Sequence, residues 1–452
     1  MEGYRGFEIK KQLSCDVLVI GGGVAGFSAA VCAARSGANV VLAERDGCLG
    51  GTATVGLVGP FMSAYDPTGS RQVVVGFMDE FVRRMEAAGG AIHPRKCPGG
   101  NSYSSFRTSG YVGVTPFDSE CFKVTAETMC KEAGVHLLYH MLFIACDKCS
   151  DRQISTAFFA SKNGIYAIEA KMFIDCSGDA DVAVAAGAPT VLGDENGKTQ
   201  VSSLFFLIDG VENEKVEKYL EQYPESTHIA QRNFEDAVAK AKQAGTFPCQ
   251  RSRVSIFESL NGIWRINMAQ YDGKIDFSDP EDITKAEIDC RSQIQPLMEF
   301  LKKYVPGFEH IRLLQSSQSL GIRESRRIIG EYTLTIDDIV AGRRFEDGIC
   351  LVGSFVDFHG KGYQNNYGVS RDPVQIPLRC LLPKDVDNLL AAGRCLSADQ
   401  MAHSAVRVMP PCFAMGQAAG TAAALAIQKG VTPKQLNAAA LREKLQADNV
   451  CL

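Results

Sequence analysis

A short apolar run, Val17 to Ile20, stops at Gly21-x-Gly23-x-x-Gly26 and passes without a spacer into an Ala-rich stretch, Phe27 to Arg35. No other feature limits the fold so strongly. Consecutive apolar residues with no polar alternation read as a buried strand. The Ala-rich stretch reads as a helix closed by Gly37, and Asn39 to Ala43 reads as a second strand ending at Glu44. Each glycine has its own task in such a unit. Gly21 takes the tight turn, Gly23 lets a pyrophosphate approach the backbone, and Gly26 lets the helix lie close on the sheet. The helix N-terminus offers free N–H groups and partial positive charge to phosphates. Glu44 stands where a carboxylate can accept hydrogen bonds from ribose hydroxyls. A glycine turn in an ordinary α/β unit would not need that acid. A membrane span over residues 17–43 is opposed by Arg35, three consecutive glycines and the helix-breaking turn.

The fingerprint leaves NAD and FAD open. Leu49-Gly50-Gly51-Thr52-Ala53-Thr54 follows the ribose acid, where a glycine pair lets backbone pass close to a flat ring and threonines can bond its edge or a phosphate. Farther on come Ile174-Asp175-Cys176-Ser177-Gly178-Asp179-Ala180-Asp181, then Asn388 to Ala392 with Gly393-Arg394, then Met409-Pro410-Pro411-Cys412 before a small-residue helix. In this order and spacing the four blocks resemble the FAD-dependent oxidoreductase family of the glutathione-reductase-type superfold, which includes relatives of heterodisulfide reductase A subunits. The resemblance covers nearly the whole chain; it is strong over 15–60, 170–190 and 385–430 and weak between 195 and 310.

That resemblance implies an α/β fold with a discontinuous Rossmann-like FAD-binding domain and an inserted α+β substrate domain. The expected division is 1–195 for the first part of the FAD domain, 196–345 for the inserted substrate or cap domain, and 346–452 for the last part. The residues assigned to FAD are Gly21, Gly23, Gly26, Glu44, Arg45, Gly50, Gly51, Thr52, Phe143, Gly178, Asp179, Gly393, Arg394 and Met409. No second GxGxxG follows residue 26, so a separate nicotinamide domain is not expected. Gln400 and Met401 stand where relatives often have His-Glu, and Val374 and Leu378 where tyrosines are common, all near the expected substrate side.

A chain of 452 residues is too long for one core and implies two joined domains. A net charge of −5 and the lack of any basic run interleaved with aromatics give no nucleic-acid footprint. The first residues mix acids and bases around no apolar centre, so no signal peptide is expected. Sixteen scattered cysteines read as reduced thiols in a cytoplasmic protein, with no metal site. Cys146 and Cys149, the one close pair, follow the apparent strand Leu142–Ala145 and read as a hairpin rather than a redox dithiol. Cys48 has no partner a few residues on. Residues 73–89 and 118–134 have helical spacing, the latter with Asp118 as N-cap and Gly134 at its end. Residues 92–116 have turn composition and read as a loop covering the substrate side. Strands and charged helices alternate between 196 and 345.

Pro410 and Pro411 suit a helix start, and in this superfold such a helix aims its N-terminus at the flavin ring, stabilising negative charge on it. Candidate catalytic residues come from three segments. Asp357 and His359 sit two apart at the end of an apparent strand, Cys350–Phe358, so both face one way, and an acid can fix the imidazole's tautomer. His403 and Arg407 sit four apart, one helical turn. Arg323 and Arg326 lie in Gly321 to Arg327, where they could hold a carboxylate or form a domain-joining ion-pair network. Tyr363 and Tyr367 are further possible acids. Of the seven histidines only His359 and His403 fall on the expected flavin side. The expected function is hydride transfer between a small organic molecule and flavin N5. The alternatives are an electron relay or thiol-linked subunit serving a protein partner and, less favoured, a non-redox flavoenzyme. Homo-oligomers are compatible with the sequence, and the electron donor or acceptor stays open.

Overall fold

The computed structural model describes residues 8–107, 111–222, 234–249, 251, 253–353, 355–360 and 372–452. Strand β1 (Ile9–Ile20), helix α1 (Val24–Arg35) and β2 (Val40–Ala43) form the glycine-turn unit. β1 reaches back beyond the apolar run because its exposed first half still pairs with a neighbouring strand. Then come α2 (Phe77–Ala87), α3 (Ser119–Ala133), β3 (His136–Leu138), β4 (Leu142–Ser150), β5 (Gln153–Ser161), β6 (Gly164–Asp175), α4 (Asp181–Ala185) and β7 (Thr190–Leu192). α3 starts and stops as its sequence dictates: the Asp118 side chain accepts from the Cys121 N–H, and Gly134 ends it at φ +76°.

A second unit follows, with β8 (Ser202–Asp209), α5 (Asn213–Glu221), α6 (Glu235–Gln243), β9 (Ile256–Glu258), β10 (Trp264–Tyr271), α7 (Pro280–Ser292), α8 (Ile294–Tyr304) and β11 (Arg312–Ser316). α7 and α8 are separated at Gln293, because Pro296 cannot donate to the preceding turn. The chain returns through β12 (Arg326–Ile328), α9 (Ile336–Val340), β13 (Gly348–Val352), β14 (Val374–Pro377) and β15 (Leu389–Ala391). It closes with α10 (Gln400–Val406), α11 (Met409–Lys429) and α12 (Ala438–Ala447). The strand expected over Cys350–Phe358 stops at Val352. At Gly353 a Cβ would lie 1.4 Å from the carbonyl oxygen of Tyr65, so another segment crosses there.

The main sheet has the order β3-β2-β1-β6-β5-β4. β6 forks: its first half pairs antiparallel with β5 and its last three residues pair parallel with β15. β1, β2, β3 and β6 run parallel, so their C-terminal ends open on one side. α11 lies directly on α1. A Cβ at Gly416 or Gly420 would come within 2.1 Å of the Ala25 or Ala29 carbonyl oxygen, so only glycine permits this approach. The second unit is an antiparallel sheet, β11-β8-β10-β9, with its own core around Trp264, Phe206 and Phe234. Leu334 and Ile339 pack in the core of the first unit. Both fall inside the expected 196–345 span, whereas Leu320 and the partly buried Ile322 still pack on the second core. Phe106, from the 92–116 loop, also packs into that core.

Candidate functional site

One cavity, with about 1960 Å³ of empty space including its mouth, runs from the C-terminal ends of the parallel strands to the face of the second sheet. At the first end the three glycines separate by role. Gly21 has φ +95°, and a Cβ there would sit 2.4 Å from the Cys176 carbonyl oxygen. A Cβ at Gly26 would lie 1.7 Å from the Gly21 carbonyl oxygen, so its role is close packing. Gly23 lines the cavity, and a Cβ there would meet nothing within 4 Å. It also caps α1 without a side chain, which leaves the helix N-terminal N–H groups open to a ligand.

Glu44 lines the same end, buried. Its carboxylate accepts from the Gly22 N–H and, at 2.7 Å, from the Asp46 N–H. Burial raises its pKa while those two donors oppose the rise. Arg45, Gly50, Gly51, Thr52, Phe143, Gly178, Gly393, Arg394 and Met409 also line the cavity. Gly26 and Asp179 do not. Asp179 instead pairs with Arg394 at 2.9 Å and accepts from the Ser325 hydroxyl at 2.5 Å, so it orients the arginine that does. α11 begins with Pro410 and Pro411 in its first turn and no side-chain cap, and Met409 and Cys412 face the cavity.

At the other end lie Asp357, His359, Arg323 and Arg407. His359 Nε2 is 3.2 Å from Asp357 Oδ1. Arg407 donates to the other carboxylate oxygen at 3.2 Å and to the Asp357 main-chain oxygen at 2.8 Å. Burial opposes ionisation of Asp357, but His359, Arg407 and Arg323 outweigh it and hold the carboxyl well below the usual range. Burial, aided by Arg323, pushes His359 down to about 3 against the pull of Asp357. An ionised carboxylate facing a neutral imidazole fixes the Nε2–H tautomer and leaves a lone pair on Nδ1.

One catalytic expectation is corrected, and Arg326 takes the ion-pair role that the sequence left open beside substrate binding. His403 is fully buried, does not line the cavity, and uses Nε2 on the Arg394 carbonyl oxygen at 2.8 Å; it braces the turn that presents Arg394. Arg326 donates to the Asp179 carbonyl oxygen at 2.8 Å and pairs with Asp181, which together with the Glu324–Arg327 pair makes the domain-joining network. Tyr363 and Tyr367 lie outside the described residues. Cys146 and Cys149 do not follow a strand but lie inside β4, both free. Sequence reasoning missed Arg107, Tyr111, Arg251 and Arg253, which also line the cavity. No motif marks them; loops from the two units bring them together. Among the described residues no group of three or more His, Cys, Asp or Glu is placed to hold a metal ion, and no helix is long and apolar enough to cross a membrane.

An uncapped helix N-terminus, an open glycine, a buried acid at the end of the second strand and a second helix aimed into the same long cavity define a Rossmann-type nucleotide-binding enzyme, and these residues fit FAD. The family model described as FAD dependent oxidoreductase matches residues 16–445, and the chain belongs to that family. FAD is its cofactor. No curated protein sequence matches the chain. Similar solved structures include a geranylgeranyl bacteriochlorophyll reductase-like protein from Thermoplasma acidophilum, at TM-score 0.46 and 12% identity over 97% of this chain and 85% of that one. The p-nitrophenol 4-monooxygenase of Pseudomonas putida DLL-E4 gives TM-score 0.47 and 13% identity over 94% and 82%. L-proline dehydrogenase from P. horikoshii gives 0.46 and 12% over 93% and 95%. Likenesses of this degree carry no argument about substrate or mechanism.

Proposed function

We propose that this oxidoreductase acts on a small organic molecule, with bound FAD supplying the two-electron exchange as hydride transfer at flavin N5. Gly21, Gly23, the α1 N-terminus, Glu44 and Arg394 would hold the cofactor. The observation that carries the reading is the Asp357–His359–Arg407 group at the far end of the cavity. Asp357, itself engaged by Arg407, holds the imidazole in one tautomer, and Nδ1, which pairs with none of the described residues, can accept an alcohol or amine proton. The imidazole is unprotonated at neutral pH and so open to that proton, while its depressed pKa keeps it a weak base that acts as the hydride leaves. The thiol-linked alternative finds little support. Burial pushes Cys412, which lines the cavity, up to about 12, and Cys176 well above its ordinary value, so neither supplies a thiolate at neutral pH. All sixteen cysteines are free, which suits a reducing compartment such as the cytoplasm.

The test is anaerobic stopped-flow reduction of the holoenzyme by a panel of small alcohols, amines and hydroxy acids. At least one should bleach the flavin, and His359→Gln should slow that reduction while retaining FAD. Reduction by no small molecule, with reduction by a protein donor instead, would replace this reading with an electron relay.

A further inference from the structure

We propose that the substrate of this cavity is a small dianion, held among Arg107, Arg251, Arg253, Arg323 and Arg407. The inference rests on the far end of the cavity being the substrate site. The five arginines come from four separate segments: the 92–116 loop, the approach to β9, the return from the second unit and the end of α10. Among the cavity-lining residues that are described, the one carboxylate at this end is Asp357, and it is already engaged by Arg407 and His359.

The remaining four arginines have weak or neutral partners. Arg323 donates to the Val201 carbonyl oxygen at 2.5 Å. Arg323 and Arg251 share the amide oxygen of Asn267, at 3.4 and 3.2 Å. Arg107 lies over the Tyr111 ring, 4.5 Å from its centroid. Arg253 is exposed, lines the cavity, and feels Glu235 and Asp357 without a hydrogen bond to either among the described residues. The Nε atoms of Arg107, Arg251 and Arg407, like that of Arg327, are buried without a hydrogen-bond partner among the described residues. Burial pushes Arg251 to about 10 and Arg323 to about 9, and neighbouring guanidiniums push the same way, yet both stay charged at neutral pH.

Structural arginines nearby differ from these four in one respect. Arg326, Arg327 and Arg394 each have a carboxylate of their own. Sheltered like charges with open donors are costly unless a counter-charge arrives. Arg251 with Arg323, and Arg107 with Arg253, offer forks to two anionic groups, or to one doubly charged group. A dicarboxylate and a phosphate monoester share this chemistry.

The experiment titrates the oxidised holoenzyme at constant ionic strength and follows the flavin difference spectrum. The probes are succinate, glycerol phosphate, butyrate and the neutral diamide succinamide. Succinate or glycerol phosphate should bind at least about tenfold more tightly than butyrate, with succinamide silent, and the tighter of the two identifies carboxylate or phosphate. Arg251→Met and Arg107→Met should each remove most of that preference with FAD content unchanged. Equal binding of butyrate or succinamide, or no response to any probe, overturns the proposal. So does loss of FAD from either folded variant, since the arginines would then serve the cofactor. The wild-type titration decides alone if both variants misfold. Because no turnover is involved, failure of the hydride reading leaves this result intact.

Discussion

Gly23→Val separates the ligand-binding role of the glycine turn from its folding role. The backbone at Gly23 is extended, φ −61° and ψ −179°, so any L-residue can adopt it. A Cβ there meets no atom within 4 Å. The apo protein should therefore lose less than about 1 kcal/mol, chiefly from a poorer N-cap. The same side chain would stand where a diphosphate must reach the α1 N–H groups. Losing one or two charge-assisted hydrogen bonds at about 1.5–3 kcal/mol each weakens FAD at least about tenfold and up to about twenty-thousandfold. Gly26→Ala should behave in the opposite way. Its Cβ would lie 1.7 Å from the Gly21 carbonyl oxygen and 3.1 Å from Cys176 Cβ, and neither backbone can withdraw. An overpacking cost of about 1–3 kcal/mol exceeds the helix-propensity gain of about 1 kcal/mol. The assay is thermal melting of apoprotein with and without FAD, alongside a flavin-fluorescence titration. Wild-type protein at FAD about a hundred times Kd should gain about 2.7 kcal/mol; Gly23→Val should melt like apo wild type and gain almost nothing. Normal FAD affinity in Gly23→Val, or an apo melting point as low as that of Gly26→Ala, would refute the reasoning.

Three further outcomes are expected. His359→Gln should lower kcat by about 10²–10⁴ with an unchanged flavin spectrum, and the wild-type kcat/KM profile should lack a step near pH 6.5, because burial keeps this imidazole neutral well below that pH; a protonation step near 6.5 that vanishes in the variant would contradict it. Glu44→Ala should weaken FAD by about 1.5–3 kcal/mol in a fluorescence titration, and should also lower apo stability, since the Gly22 and Asp46 N–H groups lose their acceptor; unchanged affinity would point the acid elsewhere. Asp181 has its pKa raised to about 6, first by burial and then by Asp175 and Asp179. A carboxyl protonated more readily when folded favours the folded state at low pH, and that contribution fades as pH rises from about 4 through 6. Apo Asp181→Asn should therefore melt with less loss over that window than wild type, and parallel melting curves would falsify the assignment.

The glycine turn, both flanking strands, α1, α3 with its Asp118 and Gly134 ends, and α11 behind its two prolines were all legible in the sequence. Each depends on residues close together in the chain: an apolar run, a cap, a glycine free of Cβ constraints. The cofactor blocks were legible for the same reason, since a backbone that must approach a ligand leaves glycines in fixed order. Local pattern could not reveal where β13 stops, because Gly353 yields to the crossing backbone at Tyr65. Nor could it tell His359 from His403. Both are histidines near charged partners in the sequence, but packing buries one against the Arg394 carbonyl and turns the other to the cavity. The arginine cluster lay farthest from view. Arg107, Arg251, Arg323 and Arg407 are scattered over three hundred residues of chain, and only the closure of the second sheet over the first brings their charges within reach of one another. Mutual repulsion and shared desolvation are properties of that closure, and no stretch of sequence carries them.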